Sequence, residues 1–303
     1  MSRSLAAVVA LCLLLLPSVP SRASPTLFFT GALNGRLEGC DCKASPAPGL
    51  SKIAAWIRAE RRASDLLLDA GDVLDGWPDA GLEEAILQSY VDLGYAAVAV
   101  GENDLGAGPL KILAGRGRLP FLCNNLSILD PGSGWAELSP EPLLSRAGDR
   151  SFGILALLES EALPRLDPET RALVRLADPV ARAAELVGEL RRGGASTVIL
   201  LYHGGRASLL PLLERVSGID IALAAHDGGQ GAVVVGRTVV AGAGGDGRRV
   251  FDLDLGRSDP RARAASLKGR LFDARFGPDE PSVLARLEAY RAELRARLRS
   301  PGP

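Results

Sequence analysis

Asp65-Leu66-Leu67-Leu68-Asp69-Ala70-Gly71-Asp72 sets three adjacent leucines directly before a small-residue turn and a carboxylate. An apolar run without alternation fits a short strand buried on both faces. The same construction recurs on either side of it. Residues 26–30 read as a strand followed by the turn signal Asn34-Gly35. Residues 96–100 read as a strand ending in Gly101-Glu102-Asn103-Asp104, and residues 197–201 as one ending in Tyr202-His203-Gly204-Gly205. Residues 219–223 lead to Ala225-His226-Asp227-Gly228. Amphipathic segments lie between these runs. Residues 50–61 put Ile53, Ala54 and Ile57 on one helical face, and a helix over 82–93 stops at Gly94. Asp178-Pro179 opens a helix that runs to Arg192, because Asp caps the first amides and Pro fits the first turn; Gly193-Gly194 closes it. Strands alternating with helices give an α/β class.

The remaining segments are shorter. Residues 121–123 and 152–158 read as strands. Residues 130–142, rich in Pro, Gly and Ser, read as a surface loop. Runs over 233–235, 238–241 and 250–255 read as closing antiparallel strands. The chain ends in a charged helix over 282–298 with Val283, Leu284, Leu287, Tyr290 and Leu294 on one face, which is expected to pack on the domain or on a partner.

Of the 303 residues, the first 23 have a different character. Arg3 precedes an apolar run from Leu5 to Leu16, then Pro17, Pro20 and the small-residue end Ser21-Arg22-Ala23. That is the layout of a secretory signal peptide. The run is short of the roughly 20 apolar residues that a spanning helix needs, so no membrane span is expected after cleavage. The expected organisation is a leader over 1–23, a domain over 24–275 and a C-terminal amphipathic helix and tail over 276–303. Periplasmic or secreted localisation follows from the leader. The formal net charge is −1, with no basic stripe, so nucleic-acid binding has no electrostatic support. Beyond the leader the cysteines are Cys40, Cys42 and Cys123, too few to staple a scaffold, so an ordinary apolar core is required.

Asn34, Asp72, Glu102, His203 and His226 each stand just past an apolar strand. Ligands of sheets covered by helices bind at the carboxyl ends of strands, so these side chains can converge. Imidazoles and carboxylates suit zinc, manganese or iron. The other reading is two histidines satisfied by hydrogen bonds at strand ends.

The segments Leu27-Phe28-Phe29-Thr30, Leu33-Asn34-Gly35, Gly49-Leu50-Ser51-Lys52-Ile53, Leu68-Asp69-Ala70-Gly71-Asp72, Ala97-Val98-Ala99-Val100-Gly101-Glu102-Asn103-Asp104, Val198-Ile199-Leu200-Leu201-Tyr202-His203 and Ile219-Asp220-Ile221 with His226-Asp227-Gly228 occur in a fixed order. In that order and spacing the chain resembles the calcineurin-like metallophosphatases, specifically the catalytic domain of the 5′-nucleotidase branch. The closing run Thr238-Val239-Val240-Ala241-Gly242 also looks like that branch. The resemblance implies a four-layer α/β/β/α sandwich of two mixed sheets with a two-metal site at one end. It implies metals that activate a water and clamp a phosphate.

This chain departs from the implied pattern in an ordered way. Ala32 and Asn34 replace the Asp and His of the first motif, and Gly228 replaces the last closing ligand. Those three positions serve the first metal. The second metal's positions are Asp72, Glu102, His203 and His226, with Glu102 in place of the family's Asn. The resemblance therefore implies one divalent transition metal (Mn, Zn or Fe) held by two imidazoles and two carboxylates. Two alternatives stay open. A one-residue slip would put Asn103 in the Asn position, or the histidines are relics that bind nothing. In the simplest alignment Asn103 stands where the family has its catalytic His, and Asn cannot act as a general acid near neutral pH.

Leu37-Glu38-Gly39-Cys40-Asp41-Cys42 is similar to a subgroup of exported members, some fused to multihaem cytochromes. No Cys-x-x-Cys-His occurs, so no covalent haem is expected. Cys40 or Cys42, beside Asn34, either reaches toward the vacated metal position or serves a structural disulfide or as free thiol. The resemblance implies a 5′-nucleotidase-like phosphoester hydrolase with a reduced site, acting on a small anionic or phosphorylated substrate. Its second, nucleoside-gripping domain is not expected here, nor is nucleotide specificity. The alternatives are a catalytically degenerate metal- or anion-binding module partnered with a periplasmic redox system, and a structural partner in an envelope complex.

Overall fold

The computed structural model describes residues 24–39, 48–115, 117–147, 149–226, 230–244, 247–271 and 277–299. The leader over 1–23, Cys40, Cys42 and Gly228 lie outside the described residues.

The strands are β1 (Thr26–Thr30), β2 (Leu66–Asp69), β3 (Ala97–Ala99), β4 (Phe121–Leu122), β5 (Leu126–Asp130), β6 (Gly134–Glu137), β7 (Leu143–Ala147) and β8 (Arg150–Leu158). They continue as β9 (Val174–Leu176), β10 (Thr197–Gly204), β11 (Ile221–His226), β12 (Gln230–Val235), β13 (Thr238–Ala243), β14 (Arg249–Asp254) and β15 (Lys268–Leu271). The α-helices are α1 (Gly49–Glu60), α2 (Ala80–Leu93), α3 (Glu102–Ala107), α4 (Pro109–Gly115), α5 (Pro168–Ala172), α6 (Pro179–Arg192), α7 (Arg206–Arg215), α8 (Pro260–Ala265) and α9 (Pro281–Arg299).

One sheet has the order β15-β14-β1-β2-β3-β4 and the other β12-β13-β11-β10-β8-β7. Both are mixed: β1, β2, β3 and β4 run parallel, as do β8, β10, β11 and β13, with antiparallel strands at the edges. Alternation along the strands explains the layering. Leu27, Phe29, Leu66 and Leu68 point inward to meet Ile154, Ile199, Leu201 and Leu223 of the other sheet. Phe28, Leu67 and Val98 point outward against Ile53 and Ile57 of α1 and Ile86 and Tyr90 of α2. On the far side Leu155, Val198 and Leu200 meet Leu186 and Leu190 of α6 and Leu209 of α7. The expected four-layer α/β/β/α sandwich is therefore the fold.

Several boundaries follow the sequence closely. α6 is capped by the Asp178 carboxylate, which accepts from the amide of Ala181, and α2 ends at Gly94 in the left-handed conformation (φ 70°). α9 buries Val283 and Leu287 in the core shared with α1 and α2, and its Tyr290 hydroxyl donates to Asp79 at 2.7 Å; Leu294 is exposed.

Two expectations fail. The segment 130–142 is not one loop: β5 and β6 form an antiparallel hairpin there. The turn chemistry was real but local, since Asp130 accepts from the amides of Gly132 and Ser133 and Gly134 has φ 83°. Arg175 on β9 then lies over the Trp135 ring at 3.8 Å. The closing strands do not form one antiparallel set either. β13 pairs with β11 in parallel, whereas β14 crosses to the first sheet and pairs with β1. Short apolar runs carry strand propensity but no information about which sheet completes them.

Candidate metal centre

The carboxyl ends of β1, β2, β3, β10 and β11 open at one end of the sandwich. After β2 the chain turns through Gly71 into Asp72, which adopts φ 58°. This loop is tied to the one after β1: the amides of Ala32 and Asn34 donate to the carbonyls of Gly71 and Asp72 at 2.8 and 2.9 Å. After β3, Gly101 leads straight into α3, so Glu102 and Asn103 occupy its first turn. The β10–β11 register sets His203 against Ala225 and Gly204 against His226, and the two imidazole centroids lie 5.6 Å apart.

One donor atom each from Asp72, Glu102, His203 and His226 lies within 4.8 Å of the others. His203 is fully buried. Its Nδ1 donates to the Ala70 carbonyl at 2.9 Å, which fixes Nε2 as the inward nitrogen. Nε2 is 2.9 Å from Glu102 Oε2 and 3.4 Å from Asp72 Oδ2. His226 Nδ1 is 2.9 Å from Glu102 Oε1. Burial opposes charge on His203, but Asp72 and Glu102 outweigh it, and the imidazole titrates well above its ordinary range. Burial likewise opposes charge on Glu102, yet the His203 bond and both imidazoles hold its pKa down at about 2.

A nitrogen whose partner Nδ1 already carries a proton cannot present a bare lone pair to two carboxylates. A cation must lie between them, either a second proton or a metal. The donors fit a metal. Ligands bound at about 2.0–2.2 Å cannot lie more than about 4.4 Å apart, so a spread within 4.8 Å needs only small adjustment. The Nδ1-to-carbonyl bond is the support that a histidine ligand ordinarily receives.

Glycines make this closeness possible. A Cβ on Gly101 would lie 2.1 Å from Asp72 Oδ1 and 2.7 Å from His203 Nε2, and one on Gly71 would lie 2.6 Å from His203 Nδ1.

Asn34 and Asn103 meet on the other side of Asp72. The Asn103 amide nitrogen donates to Asn34 Oδ1 at 3.0 Å and to Asp72 Oδ2 at 3.1 Å, while its backbone N–H donates to Asp72 Oδ1 at 2.9 Å. Asn34 Nδ2 donates to the Ala32 carbonyl. Amide bonds thus occupy the side where the resemblance implies the first metal. The Glu102 carboxylate, not the Asn103 amide, faces the imidazoles.

Sequence reasoning missed the supporting groups. Asp104 is fully buried and accepts from the amides of Asp72, Leu74 and Gly101 at 2.9–3.0 Å. Asp69 accepts from Thr30, Tyr90 and the Gly71 amide. Glu159, immediately after β8, accepts from the Gly205 amide, Ser208 and Arg165. The strand-end rule that singled out Asp72 and Glu102 would have found Glu159; nothing in the sequence marks Arg165. A cleft of about 630 Å³ at the opposite end of the first sheet, lined by Thr26, Trp56, Asp65 and Lys268, contains none of the site residues.

No protein-family model and no curated protein sequence matches the chain. Solved structures do. A sulfate thiohydrolase, SoxB, of Thermus thermophilus, in complex with glycerol, superposes with TM-score 0.75 at 20% identity, over 92% of this chain and 62% of that one. A 5′-nucleotidase precursor from Thermus thermophilus gives 0.70 at 21% identity, over 91% and 60%. This chain thus spans about three fifths of the length of those two. A calcineurin-like phosphoesterase, YfkN, from Bacillus subtilis gives 0.64 at 15% identity, over 92% and 99%. The four-layer architecture described above is accordingly the fold of these calcineurin-like phosphoesterase and 5′-nucleotidase structures.

Proposed function

We propose that this protein is an exported phosphoester hydrolase of the metallophosphatase type whose site holds one divalent transition cation, Mn, Zn or Fe. The observation that carries this is the packing of four donors from four separate strand ends within 4.8 Å, three of them buried. Asp72, Glu102, His203 and His226 are the residues that hold the ion. A bound divalent cation supplies Lewis-acid polarisation of an oxyanion and eases the ionisation of water. The amide of Asn103 takes the place of a second cation by donating to Asp72 and to Asn34 Oδ1, which holds the Asp72 carboxylate in position. The substrate is a small phosphate ester or related oxyanion; the sulfate thiohydrolase and nucleotidase neighbours mark the width of that class. Export rests on the leader composition of residues 1–23, and no described helix is long and apolar enough to cross a membrane.

The second reading is a binding module that keeps the ion and has lost turnover, partnered with a redox system or other envelope protein. Asn103 favours it, because no proton donor stands at that position. Elemental analysis of purified protein, followed by aryl-phosphate turnover with added manganese, separates the two. The hydrolase reading requires about one metal per chain and a rate that His203→Ala abolishes. Stoichiometric metal with the same null rate in both proteins supports the binding module. Absence of any bound metal removes both.

A further inference from the structure

The 3₁₀ turn Ser160–Arg165 follows β8 and lies beside α3. It carries Arg165 to the mouth of the donor cluster. One terminal nitrogen, Nη1, is 3.0 Å from Glu159 Oε1 and 3.4 Å from Glu102 Oε1. Glu159 is itself held rigidly, accepting from the Gly205 amide at 2.9 Å and the Ser208 hydroxyl at 2.6 Å. Burial opposes its charge, but those bonds and Arg165 keep its pKa below the usual range. Both anchors are buried, while the Arg165 side chain is 40% exposed.

A guanidinium has five N–H donors in a planar fork. Both anchoring contacts use Nη1. Among the described residues nothing engages Nε or Nη2. A long side chain on a surface normally loses entropy when it is ordered for a ligand. Here two fixed carboxylates meet that cost in advance. Nε and Nη2 are the edge of a guanidinium that suits two oxygens of one tetrahedral oxyanion, on a side chain anchored through Nη1 at the rim of the cluster.

We propose that Arg165 is a substrate-positioning residue that takes a tetrahedral oxyanion such as phosphate, with Glu159 and Ser208 as its brace. The inference rests on the one-cation reading. Three carboxylates, Asp72, Glu102 and Glu159, share this corner with one guanidinium and two imidazoles, and a divalent cation among them adds the positive charge that draws an anion in.

The test uses the full chain and inorganic phosphate as the probe. Metal content is measured first by elemental analysis, then phosphate affinity by calorimetry, for wild type, Arg165→Gln and Arg165→Lys. The expected result is unchanged metal content in all three, with phosphate binding weakened about 10- to 100-fold in Arg165→Gln, the range for a lost bond to a charged group. Arg165→Lys, which keeps charge but loses the fork, falls between. Wild type stripped by chelator should bind no phosphate. Equal phosphate affinity in wild type and Arg165→Gln overturns the proposal. So does loss of metal in both variants, which would make Arg165 a support for Glu102 alone, and so does a metal-loaded wild type that binds no phosphate at millimolar concentration. A wild type without metal would sink the one-cation reading instead, a result distinct from all of these.

Discussion

Replacing Gly101 by Ala adds one methyl group at the tightest point of the site. The new Cβ would stand 2.1 Å from Asp72 Oδ1 and 2.6 Å from His203 Cε1. Ordinary contact begins near 3.4 Å, so one partner must retreat by more than about 1 Å, and packed interiors absorb such shifts poorly. Neither partner has room. His203 is fully buried, with its Nδ1 bonded to Ala70 and Gly71 directly behind it. Asp72 is held by the backbone amide of Asn103 and sits at φ 58°. Overpacking of this kind costs about 1–3 kcal/mol. Urea unfolding with and without saturating metal measures both consequences. Wild type should gain about 2.7 kcal/mol at a metal concentration 100 times its Kd, whereas Gly101→Ala should be less stable without metal and gain little from it. Gly117→Ala is the control, since nothing lies within 4 Å of a Cβ there. A Gly101→Ala protein that binds one metal with wild-type affinity would refute the proposed ligand set.

Asp69 is fully buried and its pKa is pushed up to about 6 by burial, against its bonds from Thr30, Gly71 and Tyr90. The folded value exceeds the unfolded one, so its contribution to stability is present below about pH 4 and is lost as pH rises through 6, by about 3 kcal/mol; unfolding at pH 4 and 7.5 should show this slope in wild type and not in Asp69→Asn. Asp104→Asn replaces an acceptor of three buried amides by a group with one acceptor oxygen, and should lower both the unfolding free energy, by about 1–3 kcal/mol, and metal content. His226→Gly relieves a φ of 112°, worth about 1–3 kcal/mol, but forfeits a donor. It should be nearly neutral in chelator and clearly destabilised in metal, and an equal loss in both conditions would count against a ligand role. Four donors already suffice for one ion, so Cys40→Ser and Cys42→Ser should leave metal content unchanged by elemental analysis.

The site was legible because its residues obey one rule. Buried parallel strands read as unbroken apolar runs, and whatever follows such a run lies at the sheet's carboxyl end. That rule placed Asn34, Asp72, Glu102, His203 and His226 at one end of the sheets without any knowledge of contacts, and the family resemblance then singled out the last four as ligands. It says nothing of lateral partners. Asp104 was visible as the fourth residue of the quartet 101–104, yet its role depends on α3 beginning at Glu102, which turns the carboxylate back onto the amides of Gly101, Asp72 and Leu74. Six residues make too short a helix to show a period. Arg165 lies six residues beyond Glu159 in a 3₁₀ turn containing Pro164, a segment with no pattern at all. The topology of the closing strands was illegible for the same reason: β13 and β14 are similar apolar runs, and only their pairing, with β11 and with β1, assigns them to different sheets.

Strain and charge bear together on whether the histidines are relics. Among the described residues the non-glycine residues at positive φ are Ala32, Asn34, Asp72 and His226, and all four lie in the loops or strand ends that form the site. Each such conformation costs about 1–3 kcal/mol and persists only where surroundings over-determine it. The surroundings here are the paired loops after β1 and β2, the Asp104 carboxylate and the Asn34–Asn103 bridge. Those devices hold Asp72 against His203 and Glu102, an arrangement that without a cation sets two carboxylates on one imidazole nitrogen. A cluster that held neither a proton nor a metal would relax by turning one carboxylate to solvent. Asp72 and Glu102 are instead 4% and 8% exposed, and His226 keeps its strained backbone while its ring reaches Glu102. A divalent ion among these donors would satisfy all four at once, where a proton satisfies two.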